Sequence, residues 1–288
     1  MKNIVLTTLL LASLHVTASQ ADSNKLVWLM NDFPPFIDVS GSMPGRGIAD
    51  ELVRYLIPRM PEYQHEFEVA SIARAHGLME QGEQVCHPSL LMNEDRKRIM
   101  VFSDPVFFIL THRVLIRKDR LDRFSAYLMP DGSIDAKRLT HDPNLVTAIT
   151  ERRAYSPSIN AALEDVADTR HILKAGVQFN SPFHQLMSGW IDYLFAYPVE
   201  YGWYRKQQNE SSDVVMRTIP ISGDPEFILG YVTCTKGLWG QKVIEQVNAA
   251  IKEAGPRPSW VQKTVDYTAP EEVERFEKAF ERNSPFLP

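Results

Sequence analysis

The chain has 288 residues, 44% of them hydrophobic and 23% charged, with a formal net charge of −5. Those fractions are those of a water-soluble globular protein, and the length allows two lobes of ordinary domain size. The acidic balance argues against nucleic acid or an anionic membrane as the partner.

Residues 1–21 read as a secretory signal peptide. Lys2 supplies the positive end, Ile4 to Leu14 is an apolar run too short to cross a bilayer, and Val16-Thr17-Ala18 or Ser19-Gln20-Ala21 offers small residues for cleavage after Ala18 or Ala21. No acid lies in that stretch, so losing it with Lys2 takes the charge from −5 to −6. No cysteine lies near the cleavage site, so no lipid anchor is expected, and no later stretch is long and apolar enough to cross a membrane. The chain has two cysteines, Cys86 and Cys234. In an exported chain a single disulfide is the natural reading, with two buried thiols as the alternative. Two cysteines cannot make a structural zinc site alone, and no histidine spacing completes one. No cofactor or metal is expected.

Lys25 to Met30 reads as a first strand, broken by Asn31-Asp32-Phe33-Pro34-Pro35-Phe36, where proline pins the backbone extended. After a turn-rich loop at Gly41–Gly47, Ile48, Leu52, Val53, Leu56 and Ile57 recur at helical spacing, and Pro58 stops the helix. His65 to Ala70 reads as a second strand and Ile72 to Gln81 as a helix ended by Gly82, with Arg74 near its start, facing solvent or the cleft, where it would be a second anion clamp on a ligand. This alternation implies parallel strands with crossover helices.

Residues 86–105 form a turn-bounded apolar segment, a charged knot around Arg96, and then Phe102-Ser103-Asp104-Pro105. Phe107 to Arg117 is one long strand-like run containing His112, expected to be an ordinary satisfied strand residue. Asp119 to Asp142 is polar and loop-like. Leu145–Ile149 reads as a short strand, followed by Glu151 to Ser158, where Ser156 or Ser158 can cap a helix. His171–Gln178 reads as a strand and Phe183–Gly189 as a helix. Val214–Pro220 and Phe227–Thr235 read as strands. A helix then carries Val243, Ile244, Val247 and Ile251, and a charged terminal helix spans Glu271–Arg282.

The passage from Arg96 to Phe102-Ser103-Asp104-Pro105 resembles the hallmark of family 3 extracellular solute-binding proteins, two-lobed periplasmic receptors that feed amino-acid-type ABC importers. The likeness covers essentially the whole chain after residue 21. It implies an α/β fold of the type II periplasmic-binding kind: two lobes, each a mixed, mostly parallel sheet with flanking helices, joined by two crossover strands. Lobe one would take 22–112 plus 232–288, and lobe two 113–231. The first crossover would be Phe107–Arg117. The return would be Tyr231-Val232-Thr233-Cys234-Thr235-Lys236-Gly237, placing Cys86 on a strand of lobe one and Cys234 at the second hinge.

The resemblance also implies a site. Arg96 falls on the arginine that grips a ligand carboxylate, Ser89 on a ligand-binding serine, and Phe33 on the aromatic that stacks on the ligand. Tyr155, Ser156 and Ser158 fall where the family opens a helix whose N–H groups meet the carboxylate. The bland alternative for Arg96 is a solvated cluster with Glu94 and Asp95. Trp190 to Tyr197 resembles the family's "G-R-x-D-x-x-x-x-D": Gly189 and Asp192 match, Trp190 replaces the arginine, and Tyr197 replaces the aspartate that holds an ammonium. An ammonium left unpaired in a closed cleft costs several kcal/mol, so a standard α-amino acid is a poor candidate. Tyr197 would instead stack on or hydrogen-bond to another solute.

The function so implied is capture of a small polar or anionic solute in the periplasm by a monomer, for an inner-membrane permease. A same-fold sensory or adaptor module is the first rival. A dehydratase-type enzyme is the second, though no suitably placed pair of acids stands out.

Overall fold

The computed structural model describes residues 24–39, 45–150, 153–166, 169–175, 181–207 and 215–286. The expected signal peptide lies outside the described residues. In chain order the elements are β1 (Lys25–Met30), α1 (Ile48–Leu56), β2 (Gln64–Val69), α2 (Ile72–Glu80), β3 (Val85–Leu90), α3 (Glu94–Ile99), β4 (Met100–Phe102), β5 (Phe107–Leu110), β6 (Arg113–Arg117), α4 (Ala136–Thr140), β7 (Thr147–Thr150) and α5 (Pro157–Glu164). There follow β8 (Ile172–Ala175), α6 (Ser181–Ser188), β9 (Tyr193–Ala196), α7 (Pro198–Gln207), β10 (Met216–Pro220), β11 (Phe227–Thr235), α8 (Leu238–Lys252), α9 (Ser259–Tyr267) and α10 (Pro270–Asn283).

Two mixed sheets result. The first runs β2-β1-β3-β11-β4, with β5 also paired to β11, and the second runs β10-β6-β9-β7-β8. In the first, β1 is parallel to β2 and β3, whereas β11 is antiparallel to β3, β4 and β5. In the second, β7 is parallel to β8 and β9, while β6 is antiparallel to β9 and β10. Each sheet is therefore parallel on one side and antiparallel on the other, rather than mostly parallel.

Strand alternation explains the layers. In β6, Val114 and Ile116 face one apolar cluster and Leu115 the other; in β9, Tyr193 and Phe195 oppose Leu194 and Ala196. Both faces are buried, so these strands read as unbroken apolar runs. The helices end where backbone sterics require it: Gly82 after α2 and Gly189 after α6 both take positive φ, +80° and +78°.

The run Phe107–Arg117 is two strands, not one. β5 belongs to the first sheet and β6 to the second, so the chain crosses at Thr111-His112. His112 sits at that crossing, buried, with Nδ1 lacking a partner among the described residues, so it is not a satisfied strand residue. The return also differs from expectation. β11 is paired to the first sheet from Phe227 onward, so strand pairing puts the crossing back before Phe227 rather than at Tyr231. Cys234 is consequently no hinge residue. It lies in the first sheet directly opposite Cys86, with Cα atoms 4.0 Å apart, and the two are joined by a disulfide across 148 positions of chain. Closing a loop that long contributes on the order of 4–5 kcal/mol in the chain-entropy model.

The polar stretch Asp119–Asp142 is not plain loop. It holds a 3₁₀ segment and α4, both anchored by apolar side chains: Phe124, Ile134 and Leu139 are fully buried. The helices α7, which carries little apolar periodicity, and α9 are not anticipated from the sequence; they pack on each other. A Cβ on Gly202 of α7 would come within 2.1 Å of the Tyr267 carbonyl oxygen. The terminal helix α10 docks Phe276 and Phe280 edge-on against Phe108, at ring separations of 5.7 and 5.5 Å. Such pairs contribute about 0.5–1.5 kcal/mol each beyond burial. Its buried Glu272 also reaches the second sheet, accepting from Thr218 and pairing with Arg113.

Candidate functional site

A cavity of about 420 Å³ lies between the sheets. Its walls come from the carboxyl ends of parallel strands: Asn31 and Phe33 after β1, Val69 at the end of β2, Leu90 and Leu91 at the end of β3, Thr150 at the end of β7, and Tyr197 after β9. In open α/β sheets this is where ligands bind, because the chain leaves the sheet there and side chains are free to converge. Arg96, Arg153, Ser89, Ile109 and Gly230 complete the lining.

Arg96 stands in α3, whose N-cap Asn93 accepts a hydrogen bond from the Arg96 N–H at 2.8 Å. The side chain turns inward, only 6% of the residue is exposed, and Nη1 donates to the Leu91 carbonyl at 2.6 Å. Nε is buried without a partner, and no described carboxylate pairs with the guanidinium. Glu94 pairs with Lys97 and Asp95 with Arg98, so the solvated-cluster alternative does not hold for Arg96. Burial lowers the Arg96 pKa from its ordinary value, with Tyr197 acting weakly the other way.

Beneath Arg96 lies a neutral histidine. His87 is fully buried, and burial, then the Arg96 charge, pushes its pKa down to about 3. The Ser89 N–H donates to His87 Nδ1 at 3.1 Å, so the ring proton is on Nε2, which donates to Asn31 Oδ1 at 2.8 Å. That fixes the Asn31 amide with its NH₂ as the remaining donor, at the cavity wall.

Arg153 is the residue sequence reasoning missed. Its side chain is 13% exposed and forms a two-pronged ion pair with Glu200, Nη1 to Oε1 at 2.8 Å and Nη2 to Oε2 at 2.7 Å. Its guanidinium carbon lies 5.2, 5.0 and 5.2 Å from the ring centres of Phe33, Tyr155 and Tyr197. Nη2 also donates to His112 Nε2 at 3.3 Å. Burial works against the charge, but the Glu200 carboxylate outweighs it and raises the Arg153 pKa. Glu200 is fully buried, and its Oε2 further accepts the Tyr197 N–H at 2.7 Å.

The other expected site residues separate into two groups. Ser89, Phe33 and Tyr197 line the cavity with Arg96. Tyr155 stands behind Arg153, beside a smaller void, and its hydroxyl accepts the Thr150 N–H at 3.0 Å. Ser156 is the N-cap of α5, buried, with no hydrogen bond from its Oγ, and it does not reach the cavity. The α5 N-terminus is already capped by an internal acid: the Ser158 N–H donates to Asp224 Oδ1 at 3.1 Å. Arg74 faces solvent, paired with Glu68 at 2.7 Å, and stays outside the lining. Asp192, which matches the family pattern, is structural: it accepts the Val146 N–H at 2.8 Å and pairs with Arg123, holding β7 to β9. Among the described residues no helix is long and apolar enough to cross a membrane, and no group of three or more His, Cys, Asp or Glu could hold a metal ion.

No protein-family model and no curated protein matches the chain. Solved structures do. A mutant of the arginine-binding protein ArgBP from T. maritima superposes with a TM-score of 0.57 at 14% identity, over 90% of this chain and 96% of that one. The amino acid ABC transporter substrate-binding protein AbpA from Streptococcus pneumoniae, bound to L-arginine, gives 0.56 at 15%, over 90% and 96%. The periplasmic domain of BvgS from B. pertussis gives 0.59 at 15% over 91% of this chain, which spans 47% of that one. With two mixed sheets, a double crossover and a cavity at the strand ends, the chain has the type II periplasmic-binding fold.

Proposed function

We propose that the chain is an exported binding protein, a divergent relative of the family 3 solute-binding proteins, that captures a small carboxylate-bearing solute between its two sheets. Arg96 takes the carboxylate, Ser89 and the Asn31 amide donate hydrogen bonds, and Phe33 and Tyr197 supply faces. Each sheet with its helices is one lobe. The crossings at Thr111-His112 and before Phe227 form the hinge, and closure adds contacts present only in the closed state. The closed form, a monomer in the periplasm, presents both lobes to an inner-membrane permease. The single observation that carries this reading is Arg96: a guanidinium nine-tenths buried, lining the cavity, with no carboxylate partner among the described residues. A buried charge without a counter-charge costs several kcal/mol, and a ligand carboxylate offsets that cost. An enzymatic role has less behind it, since Glu200 is committed to Arg153 and leaves no free pair of acids at the cavity among the described residues.

A thermal-shift screen of organic acids, amino acids and oligosaccharides tests it. Carboxylates should raise the melting temperature of wild type and leave Arg96→Gln unmoved. An equal shift in that variant removes Arg96 from the site.

A further inference from the structure

The charge balance of the cavity narrows the solute class, and this step rests on the reading of Arg96 as the carboxylate grip. Among the described residues two guanidiniums line the cavity, and of these Arg153 has its counter-charge while Arg96 has none. Glu200, the buried acid hydrogen-bonded to the backbone of Tyr197, which the resemblance sets in the place of an ammonium-holding aspartate, gives both oxygens to Arg153 and one also to the Tyr197 N–H. It has nothing left for a ligand cation. The remaining lining acid, Asp32, is exposed at the cavity edge, where it accepts the Val39 N–H, and burial and then Asp38 raise its pKa. The polar groups beside Arg96 that have spare capacity are the Asn31 NH₂ and the Ser89 hydroxyl. The other walls, Phe33, Phe36, Leu90, Ile109 and the Tyr197 ring, are apolar.

We propose that the cavity selects monocarboxylates with an apolar or aryl body and no α-ammonium, and rejects the matching α-amino acids. One uncompensated positive charge on the protein calls for one negative charge on the solute. An ammonium brought in beside Arg96 loses its water and meets no free buried carboxylate among the described residues, which costs several kcal/mol and so at least about 100-fold in affinity.

The test is calorimetric titration of the full chain after residue 21 with matched pairs: 3-phenylpropionate against L-phenylalanine, and 4-methylpentanoate against L-leucine, with L-arginine as a further amino acid. The deaminated acids should bind at least about 100-fold more tightly than their partners. Arg96→Gln should abolish that binding, and Asp32→Asn should leave it unchanged. If an amino acid binds as tightly as its deaminated partner, the selectivity proposed here is wrong while Arg96 keeps its role; loss of that binding in Asp32→Asn would identify the missing counter-charge. If no carboxylate of either series binds at millimolar concentration, or binding survives Arg96→Gln, the role of Arg96 falls as well.

Discussion

Arg96 and Arg153 line one cavity, both are largely buried, and they differ in what surrounds the charge. Arg153 meets the carboxylate of Glu200 through two Nη hydrogen bonds and is boxed by three aromatic rings; Arg96 meets one backbone carbonyl and, among the described residues, no carboxylate, while the Nε of each is buried without a partner. A paired buried guanidinium is part of the architecture. An unpaired one is a debt that a ligand can settle, and its cost to the free protein is the reason binding would be favourable.

The comparison breaks most sharply at Glu200. Glu200→Gln leaves Arg153 buried without its counter-charge and should cost about 3–5 kcal/mol in denaturant unfolding. A loss under 1 kcal/mol would mean that water reaches Arg153 and that the two arginines are alike. The next effect belongs to the Arg96 side. His87 has an ordinary pKa of 6.5 unfolded and about 3 folded, so below pH 6.5 the unfolded chain binds more protons. The stability it contributes is complete above pH 6.5 and is lost as pH falls toward 3; between pH 7 and pH 5 that amounts to about 2 kcal/mol. Unfolding free energies across that range should show the decline, and His87→Gln should flatten it by the same amount. An unflattened decline would put the proton elsewhere. The smallest effect is the most telling. Arg96→Met removes a buried charge that the fold does not pair, so stability should not fall below that of wild type, while carboxylate binding disappears. A loss matching that of Glu200→Gln would make Arg96 a structural residue too.

The two arginines were not equally legible in the sequence. Arg96 is announced by its neighbours, because the run to Phe102-Ser103-Asp104-Pro105 is local and its spacing is set by α3 and β4. What the sequence left open was whether Glu94 and Asp95 neutralise it. Helix geometry answers that: both sit in the first turn and point along the surface to Lys97 and Arg98 three residues on. Arg153 gives no such signal. Its partner is 47 positions away, and the pair exists only because β7 and β9 lie side by side. For the same reason Ser156 and Ser158 look like ligand contacts from sequence, but they sit at the start of a helix whose N-terminus already donates to Asp224.

The fold divides in the same way. Strands with regular apolar patterning, such as β1 and β11, and the amphipathic α8 are found where periodicity places them. The split of Phe107–Arg117 into β5 and β6 escapes periodicity, since both halves are buried on both faces and nothing in the residues marks the change of sheet. Helix α7 hides because it is buried through Pro198 to Tyr204 with polar and aromatic residues on all sides, leaving no apolar stripe to read.

The most direct measurement is side-chain NMR of the arginine Nη–H groups during titration with 3-phenylpropionate, with the Arg96 and Arg153 signals assigned by their loss in Arg96→Gln and in Arg153→Gln. The Arg96 signal should move and saturate with the ligand, while the Arg153 signal, held by Glu200, stays in place. Movement of Arg153 with a stationary Arg96 would contradict the division of roles between them.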